Sequence, residues 1–223
     1  MNAALYNTTI DCPVCRNKFD VTKVKSKTSK VVSRDPDFCI HYEGINPLLY
    51  DAWVCENCGY AALQDKFGAI SDKDVETILQ NITPRWNKRS FAGERSIEIA
   101  LEAFKIALFN LQLRKAKASD IAKVCLRIAW LYRIKKDEKE KEFLSFALKN
   151  YNEAYEKEVF PVDKLDEHTC VYMIAELNRL VENYEEALKW FGRLISSPQA
   201  RLNEKLIQSA REQVQAIRRQ MGK

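Results

Sequence analysis

Cysteines at positions 12, 15, 55 and 58 form two Cys-x-x-Cys pairs, within "DCPVCRNKF" and "VCENCGYAA". A thiol does chemistry when it ionises, as a metal ligand, a nucleophile or half of a redox couple. A four-residue Cys-x-x-Cys turn lets two sulfurs reach one ion, and two such turns complete a tetrahedral shell of four sulfurs. Such a shell leaves no open coordination position, so Cys12, Cys15, Cys55 and Cys58 are expected to hold a structural zinc. Pro13 inside the first pair and Gly59 directly after the second suit metal knuckles, because glycine permits the backbone conformation that aims amides at sulfur. Iron takes the same four-sulfur geometry and is the lesser alternative. A redox pair would call for a βαβ context that the sequence does not show, and four unligated core cysteines are the remaining reading. The 39 residues between Cys15 and Cys55 exceed the roughly 15 to 20 of a compact ribbon, so an insertion must lie between the knuckles.

Other residues could carry chemistry with less support. Cys39 and His41, in "DFCIHYEG", could serve as auxiliary metal ligands or as a nucleophilic pair. No third orienting residue is evident, and the plainer reading packs Cys39 beside Phe38 and leaves His41 at the surface. Cys125 and Cys170 fall within predicted helices and read as core residues, and His168 reads as a surface residue. In "TPRWNKRSFAGER", Arg85, Trp86, Lys88 and Arg89 interleave cations with an aromatic ring, a pattern that can contact an anion or a nucleic acid. The plainer alternative is a linker whose aromatic side chains plug a junction. The sequence has no Gly-rich phosphate loop, no His-Glu-x-x-His and no nucleophile elbow. No catalytic residue is therefore named, and a non-enzymatic role is expected.

The elements that must position these residues change character near residue 70. Residues 18–32 are rich in Val and Thr with Phe19 and Val21 in alternation, which predicts extended chain or a hairpin. Pro36, Gly44 and Pro47 then break the chain before a short strand at 52–54. This first part is irregular and β-leaning, with too little apolar content to be stable without help. After it the period becomes helical. Ser71 and Asp74 resemble a capping box opening a short helix that Pro84 ends. Ile97, Leu101, Phe104, Leu108 and Leu111 give one apolar face between about residues 94 and 113. Ser119 is expected to cap the next helix, and another runs through Phe143, Ala147 and Tyr151. Three more are expected at 164–181, 184–196 and 199–220, the last with Ser197 as N-cap and Pro198 at N1.

Two of these helices show a repeat pattern. "AELNRLVENYEEALKWFGRLI" resembles a tetratricopeptide (TPR) unit, with Ala175 and Ala187 at the small positions, Tyr184 before "EEAL" and Phe191 four residues after Ala187. Ala100, Phe104 and Ala107 echo the small, aromatic, small order. The expectation is a mainly α protein: a β-containing, zinc-ribbon-like lobe at 1–70 followed by a degenerate TPR-like array at 71–223. An irregular helical bundle is the alternative.

Composition limits the function classes. The chain has 223 residues, 46% of them hydrophobic, which is enough for a buried core. The N-terminal "MNAALYNTTID" has neither a basic n-region nor an apolar h-region, so neither export nor membrane insertion is expected. Seven cysteines, an odd number, without a secretory leader favour metal binding in a reducing compartment over a disulfide framework, and the cytoplasm is the default. Residues 1–70 carry eight basic and eight acidic side chains, so the net +5 lies in the rest of the chain. That excess is modest and spread over helices, a weak signal for nucleic acid.

The order "CPVC", "RDPDFC", "NPLLYDAWVCENCGYAA" and a helical tail resembles a bacterial family of a little over two hundred residues known only as a domain of unknown function. The resemblance covers nearly the whole chain and is most specific between Arg34 and Ala62. It implies a cytoplasmic bacterial protein with a metal-binding N-terminal part, and it brings no activity or substrate. The leading expectation from the residues is thus a zinc-binding interaction module or adaptor that takes a protein or peptide partner on its helical surface. Nucleic-acid binding through the zinc lobe and residues 84–95 is the alternative.

Overall fold

The computed structural model describes residues 2–222. Over these described residues the chain is mainly helical, with three antiparallel hairpins towards the N-terminus followed by a helical array. The strands are β1 (Leu5–Asp11), β2 (Lys18–Val24), β3 (Ser29–Arg34), β4 (Ile40–Gly44), β5 (Ala52–Val54) and β6 (Ala61–Leu63). They pair β1 with β2, β3 with β4 and β5 with β6.

The extended stretch expected at 18–32 thus does not fold back on itself. β2 pairs with β1, whose alternating "LYNTTID" the sequence reading had not taken as a strand, and β3 pairs with β4. The reason is the first knuckle, whose tight turn at residues 12–17 already reverses the chain between β1 and β2. The strand expected at 52–54 is β5.

Among the described residues seven α-helices follow: α1 (Asp72–Asn81), α2 (Ile97–Leu113), α3 (Ala118–Lys135), α4 (Lys139–Lys157), α5 (Glu167–Leu180), α6 (Tyr184–Ser196) and α7 (Glu204–Met221). Ser71 caps α1 as expected, its side chain accepting from the Asp74 amide. α2 starts a few residues later than its apolar face suggested, because the Ser96 side chain accepts from the Ile99 amide and fixes the first turn there.

Two predicted caps fall elsewhere. Ser119 lies inside α3, where its hydroxyl donates to Glu158 at 2.6 Å. Ser197 and Pro198 lead into a short 3-10 turn at Ala200–Leu202, and α7 opens only at Glu204, capped by Asn203.

The chain forms two compact units. The first comprises Met1–Arg34, Ile40–Ala116 and Trp130–Lys135, and the second Asp35–Cys39, Lys117–Ala129 and Lys136–Lys223. The change to helical period near residue 70 is therefore not where the units divide. α1 and α2 group with the hairpins, and α2, in which Ala100, Ala103, Phe104 and Ala107 are buried, packs against β5 and β6. The core of the first unit includes Phe19, Val21, Trp53, Tyr60, Phe67, Ile78 and Ile82 together with Cys12, Cys55 and Cys58.

In the second unit α5 is the central helix, buried along nearly its whole length and packed on α4, α6 and α7. Ala175 of α5 and Ala187 of α6 are fully buried, and Phe191 meets Tyr172 edge to face at 5.8 Å. The turn between α5 and α6 takes its reversal at Glu182, whose φ is +67°. Segment Asp35–Cys39 also belongs to this unit. Phe38 stacks on Tyr172 at 5.4 Å, and the Tyr172 hydroxyl donates to the Pro36 carbonyl at 3.0 Å.

Candidate metal centre

Each knuckle is a turn closed by its own backbone. In the first, the Cys12 amide donates to Asn17 O and the Arg16 amide to Cys12 O, both at 3.0 Å. In the second, the Cys55 amide donates to Tyr60 O at 2.8 Å and the Gly59 amide to Cys55 O at 3.0 Å. The residue after each second cysteine is left-handed, Arg16 at φ +61° and Gly59 at φ +75°. The two turns are thus built alike, with β1 and β2 flanking one and β5 and β6 the other.

Their sulfurs converge. The ligand atoms of Cys12, Cys15, Cys55 and Cys58 all lie within 4.8 Å of one another. Cys12 Sγ stands 3.6 Å from Cys58 Sγ, and Cys15 Sγ 3.7 Å from Cys55 Sγ. Those separations are far beyond the ~2.05 Å of a disulfide. They match the edge of a tetrahedron with metal to sulfur bonds of about 2.3 Å, which is about 3.8 Å. Cys12, Cys55 and Cys58 are fully buried and Cys15 is half-buried.

The electrostatics agree with the geometry. Contacts from the thiols of Cys55 and Cys58 hold Cys12 far below its ordinary value of 9.0, at about 4. The same contact with Cys12 pushes Cys55 and Cys58 up, and burial adds to the rise. Sulfurs this close cannot all ionise unless a cation lies among them. The donor set therefore fits a soft or borderline metal such as zinc held by four thiolates.

The second knuckle is anchored from behind. A Cβ on Gly59 would meet the Trp86 ring at 2.6 Å, so only glycine lets this ring lie on the turn. Trp86 Nε1 donates to Glu56 O at 2.8 Å, and Thr83 Oγ1 donates to Cys58 O at 3.2 Å. From α2, the buried Asn110 receives the Ala61 amide at 3.2 Å and donates to Gly59 O at 3.3 Å.

The remaining expected residues lie outside the four-sulfur group. Cys39 is fully buried in the second unit, where its amide donates to Asp37 at 3.3 Å. His41 is half-buried on β4 in the first unit, and neither residue belongs to the four-sulfur group. Arg85 and Lys88 are exposed. Arg89 pairs with Glu102 and lies over the Phe91 ring at 4.6 Å, so its charge is engaged within the fold. Cys125 and Cys170 are core residues whose thiols burial pushes up to about 12. His168, expected at the surface, is half-buried, with Nε2 at 3.4 Å from Ser197 Oγ.

Sequence reasoning missed the buried roles of two residues that shape the first unit, Asn110 and Arg95, the latter read only as one more cation of the 84–95 stretch. Arg95 is 5% exposed and donates to the carbonyls of Phe91, Leu49 and Ala52, the last at 2.8 Å. The one available signal for Asn110 was a polar residue set within the apolar stripe of α2. Arg95 gave none, because it sat in a run of other cations.

Two of three small hairpins brought together at a four-cysteine cluster, with a helical array after them, define a mainly helical class of protein whose cysteine cluster could hold a metal such as zinc. Within it, the chain belongs to the family described as "Uncharacterized protein conserved in bacteria (DUF2225)", which matches residues 5–217. A protein of Borreliella burgdorferi, described as an uncharacterized protein, is 25% identical over 154 residues. The match covers 60% of this chain and 55% of that one, so the chain spans about half the length of this relative. No solved structure matches the chain. Among the described residues, no helix is long and apolar enough to cross a membrane.

Proposed function

We propose that this chain is a zinc-clasped, non-enzymatic interaction protein of the bacterial cytoplasm, whose TPR-like helical array takes a protein or peptide partner. The observation that carries the reading is the closed set of four converging sulfurs. With every coordination position taken by protein, the metal holds the lobe together and leaves no position for substrate. The small and aromatic residues at the α5 and α6 interface support the TPR-like reading. Function then resides in surfaces, as it does in helical repeat proteins.

The test has two parts. Metal analysis of protein purified without added metal should find one zinc per chain, lost with Cys→Ser at position 12, 15, 55 or 58 and kept with Cys39→Ser. Iron in its place, or zinc retained in all four knuckle variants, would remove the structural-zinc reading. Purification from native cells should then bring down a reproducible protein partner that depends on the helical array. Repeated recovery of the chain alone, or with nucleic acid released by salt, would overturn the adaptor reading.

A further inference from the structure

On the first unit a groove of about 370 Å³ opens between α2 and the turn that follows α1. Its apolar lining is Ile82, Trp86, Ile106 and Phe109, and its cationic rim is Arg85 and Lys105. Glu102, Lys105, Ile106 and Phe109 follow the i, i+3, i+4, i+7 spacing of one helix face, so α2 presents them as one stripe. Phe109 is 54% exposed, a large aromatic left at the mouth of an otherwise apolar recess.

Charge decides what such a groove would take. The carboxylate of Glu102, which also lines it, is held by Arg89. Among the described residues no carboxylate pairs with Arg85 or Lys105, and the Lys105 ammonium rests over the Tyr132 ring at 5.4 Å. An apolar floor beneath two cations without counter-charges is complementary to a bulky apolar side chain flanked by acids. The volume suits this, since it lies at the low end of the roughly 300–1,000 Å³ of ligand pockets. A nucleic-acid strand is less suited: Arg89 is spent on Glu102, and the lining of the groove offers only Arg85 and Lys105 to follow a phosphate backbone.

We infer that this groove is a docking site for an acidic peptide segment that buries a leucine or aromatic side chain between Trp86 and Phe109, with Arg85 and Lys105 on its carboxylates. The site lies wholly in the first unit and does not depend on partner binding by the helical array, so either reading can fail without the other.

The test uses the full-length, metal-loaded chain and fluorescence anisotropy with three labelled probes. These are a Leu-Phe peptide flanked on both sides by Glu-Glu, the same peptide flanked by Lys-Lys, and a short oligo-dT. The acidic peptide should bind saturably, and the basic one about tenfold or more weaker. Arg85→Glu should weaken the acidic peptide by about tenfold, and Arg85→Lys should largely restore it. Phe109→Ala should weaken it severalfold, with melting temperatures unchanged because both side chains are exposed. Failure of the acidic peptide to bind, equal binding of the two peptides, or unchanged affinity in Arg85→Glu and Phe109→Ala would overturn the assignment. Tighter binding of oligo-dT than of the acidic peptide would reassign the groove to nucleic acid.

Discussion

Two backbone positions that do the same job carry different residues. Gly59 and Arg16 both follow a knuckle's second cysteine at positive φ, a conformation that costs an L-residue roughly 1–2 kcal/mol. Arg16 is exposed, so Arg16→Gly should remove that strain and raise stability by about 1 kcal/mol, read from the urea midpoint. Gly59→Ala should do the reverse, costing about 2 kcal/mol or more, because strain adds to a clash with the Trp86 ring. An unchanged midpoint in Gly59→Ala would show that Trp86 does not sit on the turn. The two core thiols make a separate claim. Burial raises Cys125 and Cys170 from 9.0 to about 12, so the folded chain keeps protons that the unfolded chain sheds. Their contribution is whole below about pH 9 and is lost as pH rises toward 12. Urea midpoints should therefore fall across that window, and less so in the Cys125→Ala, Cys170→Ala double variant. At this scale the convergence of the four cysteines was legible from spacing alone. Asn110 was not, because its partners Gly59 and Ala61 lie some fifty residues earlier in the chain.

Between elements, polar side chains reach across long stretches of sequence to fix packing. Asn110 ties α2 to the backbone around the second knuckle, and Asn110→Leu should leave the buried Gly59 carbonyl and Ala61 amide without that partner. A cost of about 2–4 kcal/mol is expected for two such groups, together with faster amide exchange at Ala61. In the second unit, Tyr172 of α5 holds Pro36 and Phe38. Tyr172→Phe should cost about 1 kcal/mol for the lost hydrogen bond. Phe38→Ala should cost more, since a stacked aromatic pair adds about 0.5–1.5 kcal/mol to the burial it brings. Equal stability of both variants and the parent would mean that residues 35–39 do not dock on α5. Helix existence and period were legible here, whereas the start of α7 was not. Ser197 and Pro198 carry a helix-start signature, and the competing 3-10 turn with Asn203 as the cap displaced it by several residues.

For the molecule as a whole, the four-sulfur cluster lies inside the hydrophobic core of the first unit. Structural zinc contributes on the order of 10 kcal/mol of apparent folding free energy, comparable with the entire stability of a typical domain, about 5–15 kcal/mol. Chelation at neutral pH should therefore unfold the first unit while the second keeps its helices. Limited proteolysis should then show cleavage sites opening across 1–116 with 136–223 still protected, and a thiol reagent should count at least four additional reactive cysteines. Concerted loss of both regions, or no change in either, would contradict a metal whose role is confined to the first unit.

Spacing along the chain was enough to single out the four cysteines that converge, the switch from strands to helices and the small and aromatic residues of the α5 and α6 pair. Each of those is written in spacings of a few residues, where local geometry leaves little choice. It took the folded arrangement to group α1 and α2 with the knuckles, to pack residues 35–39 on α5, and to set Trp86 behind Gly59 beside an apolar groove. Those outcomes depend on contacts between positions tens of residues or more apart. Such contacts are selected by complementary shape and hydrogen bonding in three dimensions and leave no periodic trace along the chain.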